Sequence, residues 1–420
     1  MNAQLDAQLN GQSNIERLAF IAFHACPLAA PGQGKSGGMN VYVRELARSL
    51  GNLGVKVDIF TRNHTGVSRY IEEISPQVRV VHLPAGPPDA PMDTYYGHLP
   101  EFLDALTEFQ RENQINYQLA HSHYWLSGCV GQAFASELQI PHVMTFHTLA
   151  LIKMQSRAGE LEPDERSQSE RDLMASSQRI IAFSPHERDA MVRLYGADSR
   201  RISLAPCGVD LSLFRPLDQQ EVRQRLGLNG EKVFLYVGRL DPLKGLELLV
   251  HTAAQLETCD EVRVLVVGGD ANGGQEISRL KEMAKKLNVE DVFDFVGRVD
   301  QEDLPLYYNA ADVCVVPSYY ESFGLAALES MACGTPVVAA RVGGLSTIVQ
   351  HGRTGFLKSW RCPEAFANSL EMIISSDRLK QSMGLAARRR AEGMGWDQVA
   401  EDICGFYKSL TGDAAKDDNK

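Results

Sequence analysis

The sequence lacks any apolar stretch long enough to cross a membrane. No uninterrupted apolar run in its 420 residues approaches the roughly 18 residues that a transmembrane helix requires. Residues 1–16 are polar and lack the basic-then-apolar order of a secretory signal peptide. We therefore expect a protein without an integral membrane segment, and we expect it in the cytoplasm.

Closely spaced cysteine pairs are also missing. The eight cysteines lie singly at positions 26, 129, 207, 259, 314, 333, 362 and 404, and no two of them form a Cys-x-x-Cys pair. Such spacing gives no indication of a zinc site or of a disulfide framework. We predict reduced thiols, most of them buried, and no metal site.

Positive charge is in deficit. The chain has 42 lysines and arginines against 53 aspartates and glutamates, which gives a formal net charge of −11. Nucleic acids and anionic membranes are bound by broad basic surfaces, so neither is expected as a partner. A small basic pocket within an acidic protein is not excluded by this balance.

What the sequence does contain is a regular alternation of short β-branched runs with segments of helical period. The predicted strands are 17–23, 56–61, 78–83, 142–146, 179–183, 202–205, 232–237, 262–267, 292–296, 313–316 and 336–339. The predicted helices include 41–53, 132–138, 275–287, 325–332 and 396–410. This alternation indicates an α/β fold with parallel sheets covered on both faces, and the length suits two such domains.

The domain boundaries follow from a hinge at residues 206–216, which carry a glycine and two prolines after a predicted strand. We predict a polar extension at 1–16, an N-terminal domain at 17–207 and a C-terminal domain at 208–392. A helix within 393–410 is expected to pack back on the N-terminal domain, and 411–420 is expected to be disordered. Because open α/β sheets bind ligands at the carboxyl ends of their strands, two facing domains predict a site in the cleft between them.

The most specific pattern begins at Glu321 and follows a predicted strand. Gly324 is placed to open a helix, whose N-terminal amides favour an anion. Glu321 precedes that helix and Glu329 lies inside it, and carboxylates accept paired hydroxyl hydrogen bonds. The pattern predicts that one carboxylate contacts a sugar and the other a ribose diol. The alternative is two acids on a solvated helix face.

This stretch, Glu-Ser-Phe-Gly-Leu-Ala-Ala-Leu-Glu followed by Gly-Thr-Pro-Val, resembles the signature of the retaining glycosyltransferase family four. The resemblance implies the GT-B fold, two facing Rossmann-like domains with an interdomain cleft. The family also carries a Gly-Arg-Leu…Lys-Gly element, which stands here at 238–245. It implies that Arg239 and Lys244 hold the donor diphosphate, where fixed cations stabilise the charge of the leaving group. Together with Glu321 they are the predicted catalytic residues.

The N-terminal half carries a narrower resemblance, in the segments 23–32, 36–47, 121–128 and 147–150. These look like the mycothiol-pathway inositol-phosphate N-acetylglucosaminyltransferases and, more loosely, the sucrose-phosphate synthases. The resemblance covers about residues 17–410. The donor site that it implies consists of Gly37, Gly38, His147, Arg239, Lys244, Glu321, Phe323, Gly324, Leu325 and Glu329. The acceptor site that it implies consists of His24, Tyr124, Thr148 and Arg166, and we add Lys35 and Asn40 to it on the grounds given below.

Two positions depart from the family pattern. The family usually places a lysine for the acceptor phosphate where Met92 stands here, and an aspartate where Lys35 stands. We predict that Lys35 takes over contact with an anionic acceptor. The alternative is an acceptor without a phosphate.

The glycine pair also has a physical rationale, because Gly37 and Gly38 let the backbone approach the diphosphate and the reacting sugar. Asn40 offers both a donor and an acceptor to sugar hydroxyls. Residues 29–36 fit a relaxed nucleotide-binding P-loop as well. That alternative is disfavoured for two reasons. Ala29 stands where a P-loop has its first glycine, and several residues separate Ala29 from the preceding predicted strand.

The resemblance implies transfer of a hexosyl unit, N-acetylglucosamine or glucose, from a UDP-sugar to a hydroxyl of an inositol phosphate or sugar phosphate, with retention. The leaving phosphate acts as the base, and no glycosidase-type acid pair is evident. No cofactor is required, Mg²⁺ being possible but not essential, and a homodimer is possible by family analogy. The alternatives are a sucrose-phosphate-synthase-like glucosyltransferase, a nucleotide-sugar epimerase and a non-catalytic nucleotide-sugar sensor.

Overall fold

A computed structural model of the chain describes residues 15–29, 37–64, 67, 69–257, 261–269, 274–359 and 362–417, with the backbone alone for 413–417. Within this part of the chain, no helix is both long enough and apolar enough to cross a membrane. Lys35 and most of the segment 29–36 lie outside the described residues, and so does Cys259.

Two sheets organise the molecule. The strands are β1 Arg17–Ile21, β2 Lys56–Arg62, β3 Ile71–Ser75, β4 Val78–Leu83, β5 Ala120–His123, β6 His142–Thr145, β7 Arg179–Ala182, β8 Ile202–Leu204, β9 Lys232–Val237, β10 Val262–Val267, β11 Phe293–Gly297, β12 Val313–Val316, β13 Val337–Ala340 and β14 Gly355–Lys358. The first sheet has eight strands in the order β3-β4-β2-β1-β5-β6-β7-β8, and the second has six in the order β11-β10-β9-β12-β13-β14. β3 runs antiparallel to β4, and the other neighbouring strands are parallel.

Helices cover both faces of each sheet. They are α1 Gly38–Asn52, α2 Leu99–Glu112, α3 Trp125–Leu138, α4 Ala150–Ser156, α5 Asp164–Ser176, α6 Pro185–Ala190, α7 Gln219–Leu226, α8 Leu246–Ala253, α9 Gln275–Lys286, α10 Leu304–Ala310, α11 Leu325–Ala332, α12 Leu345–Ile348, α13 Pro363–Ile374, α14 Asp377–Glu392 and α15 Trp396–Asp417. The parallel α/β architecture expected from the alternation of strands and helices is therefore confirmed.

The core shows why the strands read as continuous apolar runs. In β1, Leu18 and Phe20 face one hydrophobic cluster while Ala19 and Ile21 face another. All four side chains are fully buried. Strands covered on both faces have no solvated side, so apolar residues occupy successive positions instead of alternate ones.

Three strands, β3, β5 and β14, were not predicted from the sequence. β5 has the sequence Ala-His-Ser-His, and β3 is a half-exposed edge strand with two glutamates. Neither shows the apolar β-branched pattern from which strands are predicted. β14 is a four-residue edge strand that begins at a glycine.

The C-terminal helix α15 extends to Asp417, beyond the 396–410 that the sequence predicts, and disorder of the last residues stays a prediction. No proline interrupts the segment, and the helix continues from a buried part that includes Trp396, Val399 and Ile403. α15 packs against α1 of the first sheet's half of the molecule. The Tyr407 hydroxyl lies 2.6 Å from Nδ1 of the fully buried His121 in β5.

Candidate active site

A cleft of about 1000 Å³ lies where the two sheets face each other. Its walls come from loops at the carboxyl ends of strands in both sheets, including β1, β5, β9, β10 and β12. This is the edge at which open α/β sheets bind their ligands. The interdomain cleft expected from the sequence is therefore present.

The cleft collects the site residues that were predicted from the sequence and that the structure describes. Its lining includes His24, Gly37, Gly38, Asn40, Tyr124, His147, Thr148, Arg166, Arg239, Lys244, Glu321, Phe323, Gly324, Leu325 and Glu329. Lys35 alone of the predicted set lies outside the described residues. The placement of these residues is thus a structural fact, whereas their individual roles stay predictions.

Lys244 and Glu321 form an ion pair inside the cleft. Lys244 Nζ lies 2.7 Å from Glu321 Oε2, and the Ser318 hydroxyl donates to the same oxygen at 3.2 Å. Lys244 ends a short helical turn at Pro242–Lys244, and Gly245 follows with a positive φ of 70°. A Cβ at Gly245 would lie 2.2 Å from the carbonyl oxygen of Pro317, so only glycine fits between the two loops.

Arg239 follows β9 and keeps its guanidinium accessible to the cleft. Its side chain is 41% exposed, and its one ion pair in the described part of the chain is a 3.4 Å contact with Asp241. The Tyr236 hydroxyl donates to the Arg239 carbonyl at 2.8 Å, which fixes the backbone at this point. The cation is therefore positioned by its main chain while its charge remains available to a ligand.

The glycine pair lies directly opposite the second sheet's loops. A Cβ at Gly37 would lie 3.8 Å from Arg239 Nε, and one at Gly38 would lie 3.0 Å from Leu325 Cδ1. The two residues therefore bring the N-terminal backbone within contact distance of the predicted donor site. The predicted approach of this backbone to the diphosphate and the reacting sugar stays a prediction.

Glu329 is the buried acid of helix α11. Its carboxylate accepts a hydrogen bond from the Tyr308 hydroxyl at 2.7 Å. Burial raises the pKa of Glu329 to about 7, an effect that the Tyr308 hydrogen bond partly opposes. Gly324, with a φ of 103°, caps the same helix, and a side chain there would collide with Leu345.

Tyr124, Thr148 and Arg166 meet on the opposite wall. Arg166 donates to the Thr148 hydroxyl and carbonyl at 2.9 Å each, and its guanidinium lies 4.9 Å from the centre of the Tyr124 ring. Glu162 and Glu170 each bind the same guanidinium at 2.8 Å. Burial raises the pKa of Glu170. Burial also raises the pKa of Tyr124, so its hydroxyl stays protonated and can donate a hydrogen bond to a ligand.

His147 is held in an unusual backbone conformation with a φ of 61°. Its Nε2 lies 3.1 Å from His123 Nδ1, and the ring packs edge-on against Tyr42. Burial, with a smaller contribution from His24, lowers the pKa of His147 to about 3. The ring is therefore neutral near pH 7 and offers hydrogen bonds without charge.

Asn40 is engaged by its own loop. Its side chain accepts a hydrogen bond from the Gly37 amide at 3.1 Å and donates to the Cys26 carbonyl at 2.8 Å. These bonds hold the glycine pair in place at the start of α1. Because each end of the amide group retains one further hydrogen-bonding position, contact with a ligand stays a prediction.

Sequence reasoning missed several cleft residues, among them Tyr320, Lys153 and Gly268. The Tyr320 hydroxyl accepts from the Leu149 amide at 3.2 Å and so links the two halves of the molecule. Lys153 pairs with Glu162, the same carboxylate that binds Arg166. Gly268 contacts the Gly238 carbonyl so closely that a Cβ would lie 1.9 Å from it. The Val-Gly-Gly sequence after β10 was the available signal for Gly268.

The fold and the cleft define a GT-B glycosyltransferase, and comparisons with known proteins agree. Residues 36–213 match the Glycosyltransferase Family 4 model, and residues 218–390 match the model described as Glycosyl transferases group 1. D-inositol 3-phosphate glycosyltransferase 2 of Catenulispora acidiphila is 40% identical over 402 residues, which cover 93% of this chain and 94% of that protein.

Solved structures give the same result. The sucrose-phosphate synthase of Thermosynechococcus elongatus has a TM-score of 0.87 at 35% identity, covering 94% of this chain and 99% of its own. Anabaena HepE, solved in complex with UDP and glucose, has a TM-score of 0.75 at 20% identity. The match covers 94% of this chain and 100% of the HepE chain, and it shows that the two share a fold. The chain belongs to glycosyltransferase family 4, and it is a transferase.

Proposed function

We propose that this enzyme transfers a hexosyl unit, N-acetylglucosamine in the first instance, from a UDP-sugar to a hydroxyl of an inositol phosphate. The observation that carries the proposal is that two sets of groups share one cleft. Arg239 and Lys244 project from the second domain, and Tyr124, Thr148 and Arg166 project from the first. The names of the curated relatives support this choice of acceptor.

On the donor side, Arg239 and Lys244 bind the diphosphate, Glu321 binds hydroxyls of the sugar and Glu329 binds the ribose. The glycine pair packs against the reacting end of the donor, and neutral His147 contacts the sugar. Fixed positive groups stabilise the charge that develops on a leaving diphosphate. In this proposal they make a metal ion at the diphosphate unnecessary.

In the proposed reaction the bond between the anomeric carbon and the diphosphate oxygen breaks first, leaving an oxocarbenium-like sugar. The acceptor hydroxyl then attacks the same face, and its proton passes to an oxygen of the departing phosphate. The new bond therefore forms with retention of configuration. No enzyme carboxylate acts as a nucleophile, so Glu321 and Glu329 are assigned to binding.

A second candidate is a sucrose-phosphate-synthase-like enzyme that transfers glucose to a sugar phosphate. Two observations favour it: the 35% identity to a solved sucrose-phosphate synthase and the presence of Met92 on the cleft wall. Met92 replaces the lysine that the inositol-phosphate enzymes are expected to use for the acceptor phosphate. The two candidates share the donor site and differ in the acceptor.

One experiment separates these possibilities. Purified protein is incubated with UDP- or GDP-linked N-acetylglucosamine or glucose, each with inositol phosphate, fructose phosphate or no acceptor, and nucleoside diphosphate release is measured. Release that requires UDP-N-acetylglucosamine and inositol phosphate supports the first candidate, and release that requires UDP-glucose and fructose phosphate supports the second. An altered donor sugar without acceptor indicates an epimerase, and binding without turnover indicates a sensor.

The acceptor wall is tested by Tyr124→Phe, which removes only the hydroxyl. A hydrogen bond to a charged group contributes about 1.5–3 kcal/mol, so the acceptor KM should rise by about tenfold or more while the donor KM is unchanged. Tyr96→Phe is the matched control, because Tyr96 is 48% exposed and does not line the cleft. An unchanged acceptor KM in Tyr124→Phe would remove Tyr124 from the acceptor site.

A further inference from the structure

Three metal-ligating side chains that the proposed reaction does not use lie together, and two of them line the cleft. They are Cys26, which follows β1, His64, which follows β2, and His82 within β4. Their donor atoms all lie within 4.8 Å of one another. β1, β2 and β4 are neighbours in the sheet, so their carboxyl ends bring these three residues to one point.

The spacing of these atoms suits a small tetrahedral cation. Zinc binds thiolate at about 2.3 Å and imidazole at about 2.0–2.1 Å, so a sulfur and a nitrogen on the same ion lie about 3.6 Å apart. Cys26 Sγ and His82 Nε2 are 3.4 Å apart, which is already close to that separation. His64 lies within 4.8 Å of both atoms and must come closer to complete the set.

We propose that Cys26, His64 and His82 form a binding site for one divalent cation of the zinc type, with a fourth coordination position open to the cleft. Thiolate and imidazole together select borderline-soft cations such as Zn²⁺ over Mg²⁺. Cys26 and His64 both line the cleft, whereas His82 lies behind them in the sheet. Three protein ligands with one open position is the arrangement of sites that bind water or a further ligand.

One charged side chain near the site favours a cation. It is Glu72 on the adjacent strand β3, whose carboxylate acts electrostatically on Cys26. Burial works against binding, because it raises the pKa of the Cys26 thiol and so disfavours the thiolate. On binding, Cys26 releases its thiol proton to solvent and becomes a thiolate. Glu72 then supplies a nearby negative charge that favours the bound cation.

The test uses the full chain, freed of metal with a chelator and titrated with Co²⁺ as a spectroscopic substitute for Zn²⁺. We expect one Co²⁺ per chain, with a thiolate-to-cobalt charge-transfer band and the intense visible bands of four-coordinate cobalt. Cys26→Ser should abolish the charge-transfer band. His82→Gln and His64→Asn should each weaken binding by about 100-fold or more, because even outer-shell partners contribute about 10–100-fold.

Cys129→Ser is the matched control, since Cys129 is a half-buried cysteine of α3 away from the cluster, and it should leave the titration unchanged. The unfolding midpoint of each variant confirms that it is folded, and half-buried His64 provides a variant that disturbs the sheet least. The simpler alternative is a thiol–imidazole hydrogen bond between Cys26 and His82 without metal. A wild-type protein that gives no charge-transfer band at saturating Co²⁺, or a band that survives Cys26→Ser, would overturn the proposal.

Discussion

The ammonium group of Lys244 and the carboxylate of Glu321 are bound to each other at 2.7 Å, across 77 residues of sequence. One is predicted to hold the donor diphosphate and the other to hold the sugar. Because Glu321 already offsets the charge of Lys244, we expect the predicted diphosphate contact to be weaker than one with an unpaired lysine. This pair therefore makes the roles of the two residues separable by experiment.

Glu321→Gln keeps the shape of the side chain and removes its charge. We expect turnover to fall by about 100-fold, in the range found for a lost transition-state contact. UDP should bind at least as tightly as to the wild type, because Lys244 is no longer paired with a carboxylate. Turnover and UDP affinity are measured side by side, with exposed Glu282→Gln as control. Equal losses of both would show that Glu321 maintains the pocket and does not contact the sugar.

The double variant Arg239→Ala/Lys244→Ala removes both predicted cations. Loss of one such hydrogen-bond donor lowers kcat by about 10²–10³-fold. The effects of groups that act together do not add, so we expect kcat/KM of the double variant to fall by at least about 100-fold. Arg263→Ala removes a surface cation of the same domain, paired with Asp294, and should leave kcat/KM unchanged. If the double variant kept wild-type turnover, the proposed mechanism would be wrong.

The raised pKa of Glu329 predicts that donor binding depends on pH. Burial raises its pKa to about 7, and a ribose diol is bound by the ionised carboxylate. As pH falls below 7 the carboxylate is protonated, so the donor KM should rise, by at most about tenfold per pH unit. Glu329→Gln should have a donor KM that no longer varies over this range.

Glu187→Gln is the control for Glu329, because burial raises the pKa of Glu187 to about 7 as well, yet this residue does not line the cleft. Both acids bind protons more tightly in the folded state than in the unfolded chain. Each therefore lowers the free energy of unfolding as pH rises from the ordinary glutamate pKa towards 7. Both substitutions should weaken that trend, and only Glu329→Gln should change the pH dependence of the donor KM.

Tyr407→Phe tests how the C-terminal helix is fixed to the first sheet. It leaves Nδ1 of fully buried His121 without the hydroxyl that now lies 2.6 Å away. An unpaired buried polar group costs about 1–3 kcal/mol, and urea unfolding should show a loss of that size. Tyr96→Phe, on the surface, should change stability by much less. An equally small change in Tyr407→Phe would show that water or another group replaces the hydroxyl.

Gly268→Ala tests the contact between the loops that follow β9 and β10. Gly268 has a φ of 127°, and its Cβ would lie 1.9 Å from the Gly238 carbonyl oxygen. The loop that carries Arg239 must then shift, so the donor KM should rise and the protein should be less stable. Gly274→Ala, where a Cβ meets nothing within 4 Å, is the control, and equal behaviour of the two variants would contradict the prediction.

Much of the fold was predictable from local pattern. The bounds of β4, β9, β10, β12 and α11 agree with those read from the sequence, because these elements have apolar runs of the right period. β5 was missed because His121 and His123 read as polar. Their polar atoms find partners that are distant in the sequence, Tyr407 and Thr145 for His121 and His147 for His123.

The sequence by itself determined the alternation of strands and helices, the parallel sheets that follow from it, and the short motifs from which the donor site is predicted. Those features depend on residues a few positions apart, whose side chains share a face of one element. Only the tertiary structure decided that Lys244 pairs with Glu321, that Gly38 meets Leu325, and that Cys26, His64 and His82 converge. The order of strands in a sheet sets such contacts, and that order arises only when separate segments pack together.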